Sequence, residues 1–578
     1  MDSILQGLNK AQQEAVTFAD TPLLILAGAG SGKTKVLTHR VQYFIKNGVP
    51  AENILLMTFT NRAAQEMLRR IPNSNLVNGG TYHSFCAKIL RRFHTEAGLP
   101  VDFTIFDTDD QIDTIKQVFA KIGADPKYIK PHSVLHTISS AKNELIGPIE
   151  YDSFARGDFQ RTVARIYPIY QNLLKQYSAL DFDDLLVKTV ELLKNPEVLE
   201  SLQKTFTHVL VDEYQDTNKA QYQITKKLVQ KDKHLTCVGD FSQAIYSWRG
   251  ADYKNMLMLK SDFPDLTTIN LEQNYRSTQN ILDAANLVVS KNTHHPILSL
   301  WTDRDAGSKI TFYAADNEWS EAEFVASQII DYKNTAVLYR TNAQSRIIEE
   351  VFLRQGIPYT LVGGVRFYER KEIKDILAYI RLLIHPDDDV SRKRAEKIGK
   401  TRLSKLLTAN IQLQNQTTTE ILDGILKITR YLELYDPENE EDMERLENIK
   451  ELRNVAFAHP DINLFLEQIA LIERESKRAG EHVDSVTLTT IHAAKGLEFK
   501  TVFIVGLEEG LFPHSRVGLE ILDLEEERRL AYVAITRAMD KLFLTCASQR
   551  TIFGQRSASI PSRFLSDIPE RLLITSYH

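Results

Sequence analysis

Eight successive residues, Ala27, Gly28, Ala29, Gly30, Ser31, Gly32, Lys33 and Thr34, restrict the fold more than any other stretch of the chain. They follow an apolar run, Leu23 to Leu26, of the kind that forms a buried parallel strand. They precede Lys35 to Arg40, which can continue as a helix. Strand, glycine-rich loop and helix, with Gly32, Lys33 and Thr34 at the turn, make a phosphate-binding loop. Small side chains let successive backbone N–H groups face one anion, and the helix N-terminus adds its partial positive charge. Lys33 would reach the β- and γ-phosphates, and the Thr34 hydroxyl would take a Mg²⁺ position. The usual first glycine of the motif is here Ala27. A glycine-rich turn without a ligand has the same local pattern, so the loop has to be weighed with the rest of the chain.

A chain of 578 residues is too long for one core and divides into several domains. Its net charge of −6, from 70 basic and 76 acidic side chains, gives no sign of a nucleic-acid partner, so any basic surface is local. Cys86, Cys237 and Cys546 lie far apart, with no zinc spacing and no disulfide framework. A reducing cytoplasm is expected. The first residues read as neither a signal peptide nor a transit segment, and no apolar run approaches a membrane span.

Along the chain, Gln12 has an amide that can pair with adenine, although a glutamine on a surface helix is the commoner case. A second buried strand, Asn53 to Thr60, ends at Phe59, where ligands of open α/β sheets bind, or where a core aromatic would sit. Helical periodicity runs from Cys86 to Leu180 and closes with Asp181, Phe182, Asp183 and Asp184, read as a helix cap. The strand from His208 ends at Asp212 and Glu213. Asp212 can hold Mg²⁺, and Glu213 can orient and deprotonate an attacking water. A further strand, Leu235 to Asp240, leads to Gln243, placed to feel a γ-phosphate, and to Tyr246, Trp248 and Arg249, on which bases can stack. Tyr275 and Arg276 follow: an aromatic for adenine and a cation for phosphate charge.

A second α/β block is expected from near Trp301, with strands at Lys309–Ala314, Ala336–Tyr339 and Tyr359–Val362. A charged helical stretch, Pro386 to Asp484, interrupts it. That stretch carries a basic run from Arg392 to Lys405, with a tight turn expected at Ile398 and Gly399, and an acidic run, Glu438 to Glu451, read as a solvated helix face. The block resumes at Ser485 and closes with the strand Lys541–Thr545.

The ordered set of motifs resembles superfamily 1 DNA helicases of the UvrD/Rep/PcrA group. Val211 to Asp216, Tyr246 to Gly250, Gln273 to Arg276, His492 to Phe499 and Ala531 to Arg537 carry the likeness, which runs from Leu8 to Leu565. The resemblance implies an α/β fold of two RecA-like parallel-sheet motor domains, each interrupted by a mostly helical insertion, with ATP in the cleft between them. The expected spans are 1–85 and 181–276 for the first motor domain and 86–180 for its insertion. The second motor domain takes 277–385 and 485–578, with a shortened insertion at 386–484.

It further implies that Gln12 meets adenine, Tyr275 stacks on the base and Glu498 faces the ribose. Lys33, Thr34, Asp212, Glu213 and Gln243 match the catalytic positions, and Arg276 and Arg537 the phosphate-contacting arginines. Residues 27–35, including Lys35 where arginine is frequent, form the nucleotide loop. Phe59, Phe182, Tyr246, Trp248, Arg249, Arg340, Asn342 and His514 match positions that hold single-stranded DNA. ATP and Mg²⁺ are the implied cofactors, and single strands and single-/double-strand junctions the implied partners, with no membrane.

The expected function is an ATP-dependent single-stranded DNA translocase and 3′→5′ helicase in DNA repair or replication. The alternative is a DNA-dependent ATPase that strips proteins from single strands and unwinds little alone. The short second insertion favours that alternative. The basic segment Ser391 to Lys405 is expected to touch duplex ahead of the motor, or else to be a solvated basic face.

Overall fold

The computed structural model describes all residues except 1, 20–21, 73–75, 126–127, 230–233, 410–415, 438, 479–483, 516–519, 553–554 and 578. The chain divides into two compact units. One comprises Met1–Arg276 with Thr293–Asp303, the other Ser277–Asn292 with Arg304–His578.

In the first unit, β1 (Leu23–Ala27), β2 (Ile54–Thr58), β3 (Asn78–Thr81), β6 (His208–Val211), β7 (His234–Gly239) and β8 (Thr267–Leu271) form one parallel sheet, in the order β3-β2-β6-β7-β1-β8. Two further strands, β4 (Thr104–Ile105) and β5 (Ala179–Leu180), pair separately. The inner strands β1, β2, β6 and β7 are largely apolar runs because both sheet faces are covered, whereas the edge strands β3 and β8 are more polar. Alternate residues go to opposite cores. Leu23, Ile25, Leu56, Leu210 and Val238 pack with Val36, Val41 and Phe44 of the helix Lys33–Lys46. Leu24, Leu55, Met57, Val209 and Cys237 pack with Phe85 of the helix Tyr82–Arg92 and Leu185 of the helix Phe182–Leu192.

The chain leaves β1 and does not return beside it until β7 and β8. The carboxyl ends of β6, β7, β1 and β8 are therefore consecutive along the sheet, although their residues are far apart in sequence. This is the edge at which open α/β sheets bind ligands.

The helical insertion meets this sheet through a buried charge cluster. Lys142 Nζ lies 2.6 Å from Asp181 Oδ2 and 2.8 Å from Asp184 Oδ1, and Tyr170 donates to the same Asp181 oxygen. Asp181 caps the helix Phe182–Leu192 in a reciprocal box with Asp184, as the aspartate cluster predicts. The expected domain start at Cys86 falls inside the helix Tyr82–Arg92.

In the second unit, β9 (Ile310–Asn317), β10 (Thr335–Tyr339), β11 (Tyr359–Val362), β12 (Val486–Thr490), β13 (Phe499–Ile504), β14 (Ala538–Ile552), β15 (Gln555–Ala558) and β16 (Leu573–Tyr577) make a sheet ordered β11-β12-β10-β13-β14-β9-β16. All its neighbours are parallel except β15, which folds back on β14. A separate core of Ile373, Ile380, Leu406, Ile425, Leu452 and Phe465 holds the helical insertion together. Within its helix Asp389–Thr408, Gly399 leaves helical geometry (φ 156°, ψ 117°), so the turn expected at Ile398 and Gly399 is present as a kink.

The second block, expected from near Trp301, resumes at Arg304. Trp301 itself stays with the first unit, where its N–H donates to Glu272 O and its carbonyl accepts from Asn274 N–H. The strand Lys541–Thr545 does not close the sheet: it is part of the longer β14, and β16 lies at the edge beyond β9. The acidic run is not a solvated face. Glu438 lies outside the described residues, but Glu444, Glu447 and Glu451 of the helix Glu440–Ala458 each hold a partner on the motor core.

Candidate functional site

β1 ends at Ala27, and the loop turns through Gly30 (φ +67°) and Gly32 (φ +86°) before Lys33 opens its helix. Both positive φ values are costly for any residue with a Cβ. At Gly30 a Cβ would also stand 2.6 Å from Asn274 Nδ2 and 2.8 Å from Arg276 Cβ. The segment after β8 is laced to the loop: Asn274 donates to Ala29 O at 2.7 Å and Tyr275 N–H to Gly30 O at 2.9 Å. Arg276 is thereby held beside the phosphate loop.

Lys33 Nζ is buried, with no hydrogen-bond acceptor among the described residues, and its nearest recorded anion is Glu213 Oε1 at 3.6 Å. An ammonium so placed fits a further anion such as a phosphate. Lys35 does not face the loop. Its Nζ donates to Gly7 O at 2.7 Å, so this position braces the N-terminal segment.

β6 delivers Asp212, 6% exposed, to the same edge. Glu213 lies just past the strand in left-handed geometry (φ +49°, ψ 46°), which costs a non-glycine residue about 1 kcal/mol or more. The short turn Tyr214–Asp216 brings Gln215 back, so that its amide donates to Glu213 Oε2 while its carbonyl accepts from Asp240 N–H at 3.0 Å. Asp240 Oδ2 in turn accepts from Gln243 Nε2 at 2.7 Å. Lys33, Glu213, Asp240 and Gln243 therefore form one connected set. Gln215 lies in the Val211–Asp216 motif, but the sequence assigned it no role, because its partners Glu213 and Asp240 are brought around it only by the fold.

Among the described residues no three His, Cys, Asp or Glu side chains group to hold a metal. Thr34 and Asp212 fit a Mg²⁺ that takes its remaining ligands from phosphate and water, the usual pattern for this ion.

Gln12 behaves differently from expectation. Its Nε2 donates to Ser31 O at 2.9 Å and its Oε1 accepts from Asn9 N–H at 3.1 Å, in the capping box of the helix Lys10–Thr17. Both ends of the amide thus serve the protein, and an adenine contact requires an exchange of partners. The Tyr275 ring is half exposed and its hydroxyl donates to Gln273 Oε1 at 2.9 Å, which leaves the ring face open for stacking.

Four of the candidate strand contacts in this unit come together. Phe59 and Tyr246 stack at 5.1 Å, Trp248 lies 6.4 Å from Tyr246, and the Arg249 guanidinium covers Trp248 at 4.5 Å. Phe182 is exposed and packs edge-on to His83, whose pKa burial lowers.

In the second unit the candidates are engaged by acids. Arg340 Nη2 meets Glu527 Oε1 at 2.8 Å, Asn342 Nδ2 donates to Glu444 Oε2 at 2.9 Å, and His514 Nε2 lies 2.7 Å from Glu447 Oε1. Burial raises the Glu444 pKa. Burial acts most strongly on Glu447 too, but the hydrogen bond and charge of His514, with a hydrogen bond from Thr341 and the charge of Lys450, together outweigh it and hold that carboxyl below its ordinary value. Glu498 is exposed. Arg537 is 1% exposed and donates to Val533 O, Leu497 O and Thr536 Oγ1, so it too must change partners to reach a phosphate.

The sequence matches two family models: the UvrD/REP helicase N-terminal domain over residues 8–264, and the UvrD-like helicase C-terminal domain over 269–453 and 401–549. The chain belongs to the UvrD/Rep/PcrA group of superfamily 1 helicases. Relatives in this group include the ATP-dependent DNA helicase PcrA of Bacillus subtilis (strain 168), 44% identical over 644 residues, covering 99% of this chain and 87% of that protein. The PcrA proteins of Staphylococcus epidermidis RP62A and Staphylococcus aureus Mu50 are each 41% identical, covering 99% of this chain and 88% of theirs. The aligned span of 644 positions exceeds the 578 residues present, so the Bacillus relative carries segments that this helicase lacks. No helix among the described residues is long and apolar enough to cross a membrane.

Proposed function

We propose that this ATP-dependent DNA helicase tracks along single-stranded DNA in the 3′→5′ direction and opens duplex at single-/double-strand junctions, in cytoplasmic DNA repair or replication. One observation carries the reading. The short segment after β7 holds Gln243, linked to the water-activating Glu213, and three residues later the aromatic group Tyr246, Trp248 and Arg249. A change in what Gln243 contacts is transmitted over a few bonds to the surface that would stack on bases.

In this reading the loop 27–34 cradles the phosphates, and Lys33 neutralises their charge. Glu213 orients and deprotonates water, and Arg276 stabilises developing phosphate charge. Tyr275 stacks on the base. Thr34 and Asp212 hold Mg²⁺, which bridges phosphate oxygens and neutralises their charge when bound. Glu498 and Arg537 are the second unit's contributions to nucleotide binding and hydrolysis. Phe59, Phe182, Tyr246, Trp248 and Arg249 hold the strand from the first unit, and Arg340, Asn342 and His514 from the second. The motor domains take 1–85 with 181–276 and 293–303, and 277–292 with 304–385 and 485–578, and the insertions take 86–180 and 386–484.

Unwinding of duplexes with a 3′ or a 5′ single-stranded tail tests the direction. Only the 3′-tailed substrate should open; preference for the 5′ tail contradicts the reading. The relatives' extra segments favour a second reading, in which the enzyme clears proteins from single strands and unwinds little. Displacement of a bound protein from a single strand, without opening of a 3′-tailed duplex, would decide for it.

A further inference from the structure

Gln215 is fully buried and its carboxamide bridges two groups that the chemistry needs. The amide N–H donates to Glu213 Oε2, and the carbonyl accepts from Asp240 N–H at 3.0 Å. The Asp240 carboxylate then takes Gln243 Nε2 at 2.7 Å and Ser242 N–H at 2.9 Å. The close fit restricts the neighbouring backbone as well: a Cβ on Gly239 would stand 2.7 Å from Gln215 Oε1.

The need for such a bridge follows from the position of Glu213. It lies beyond the end of β6, in left-handed backbone geometry. Lys33, at 3.6 Å, is too long for a hydrogen bond and would turn toward phosphate when nucleotide is present. The Gln215 amide, a part of the protein itself, can keep hold of the carboxylate when Lys33 does so.

We propose that Gln215 is a positioning residue for ATP hydrolysis: it holds the Glu213 carboxylate in its working orientation and ties that orientation, through Asp240, to the contact made by Gln243. This rests on the reading of Glu213 as the water-activating base. The link is directional in chemistry, because one face of the amide must donate to Glu213 and the other must accept from Asp240 N–H.

The test uses the full chain with three substitutions. Gln215→Met keeps length and volume but removes both hydrogen bonds. Gln215→Glu keeps an acceptor for Asp240 N–H and sets a like charge against Glu213. Both should lower kcat for DNA-stimulated ATP hydrolysis about 10–100-fold, the usual scale for partners that orient a reacting group. KM for ATP and the Kd of a non-hydrolysable ATP analogue should stay within about threefold, since ground-state binding is untouched. Gln215→Glu should be at least as impaired as Gln215→Met. A purely structural role gives the opposite order, because Gln215→Glu preserves the volume and the tie to Asp240. Wild-type kcat in Gln215→Met, or Gln215→Glu clearly more active than Gln215→Met, overturns the inference. Glu213→Gln separates it from the reading beneath it. Wild-type hydrolysis by Glu213→Gln removes the base itself and the inference with it. An inactive Glu213→Gln beside a fully active Gln215→Met removes only the positioning role.

Discussion

The two units hold their candidate residues in contrasting ways. In the first, the groups expected to meet nucleotide are bound to one another: Asn274 and Tyr275 to the phosphate loop, Gln215 to Glu213 and Asp240, Asp240 to Gln243. They stand on adjacent strand ends of one sheet, so the fold itself fixes their spacing. In the second, Arg340, Asn342 and His514 are paired with carboxylates, two of them from the insertion helix Glu440–Ala458. A phosphate backbone would have to displace acids from these groups. The proposed nucleotide residues of the first unit already hold one another, while the proposed strand-binding residues of the second hold carboxylates that a strand would have to replace.

The largest effects should fall on the preassembled set. Lys33→Ala and Glu213→Gln should each abolish multiple-turnover ATP hydrolysis, while Glu213→Gln still binds ATP, because an amide keeps the shape of the carboxylate but cannot act as a base. Steady-state turnover beside a nucleotide-binding titration checks this, and near-normal turnover in Glu213→Gln removes it from the chemistry. Arg276→Ala and Arg537→Ala should lower kcat by about a thousandfold, with a smaller loss of nucleotide affinity. A thermal scan must accompany Arg537→Ala, since that side chain also satisfies the carbonyls of Leu497 and Val533.

Trp248→Ala should weaken single-strand binding by about 1–3 kcal/mol, the range for base–aromatic stacking, with basal ATPase little changed. Early melting without a binding defect would instead make Trp248 a packing residue. The smallest effect sharpens the contrast most. Glu444→Gln with Glu447→Gln should tighten single-strand binding severalfold at low salt, because His514 and Asn342 no longer trade a carboxylate for a phosphate. Weaker binding would mean that the two glutamates aim these groups at the strand.

The sequence was most legible where a motif is contiguous. The phosphate loop, the Asp181 cap and the kink at Gly399 all follow from local residue type and dihedral preference. β8 was missed because Thr267–Leu271 alternates burial at a sheet edge and is not a continuous apolar run. The side of the boundary on which Trp301 falls was not legible, because its pairing with Gln273 crosses a stretch of chain that periodicity cannot see. The acidic helix looked solvated because composition does not reveal which face meets a partner. Its even charge hid Glu444, Glu447 and Glu451, which turn toward Asn342, His514 and Arg346. Gln215 escaped for the same reason: its role exists only once β6 and β7 lie side by side.

One short segment after β7 is proposed to join hydrolysis to the grip on the strand. ATP turnover with and without single-stranded DNA, in wild type and in Trp248→Ala, is the decisive measurement. Wild type should be strongly stimulated, and in Trp248→Ala the stimulated rate should shift to higher DNA concentrations. Equal turnover with and without DNA in wild type would show that this segment does not couple the two.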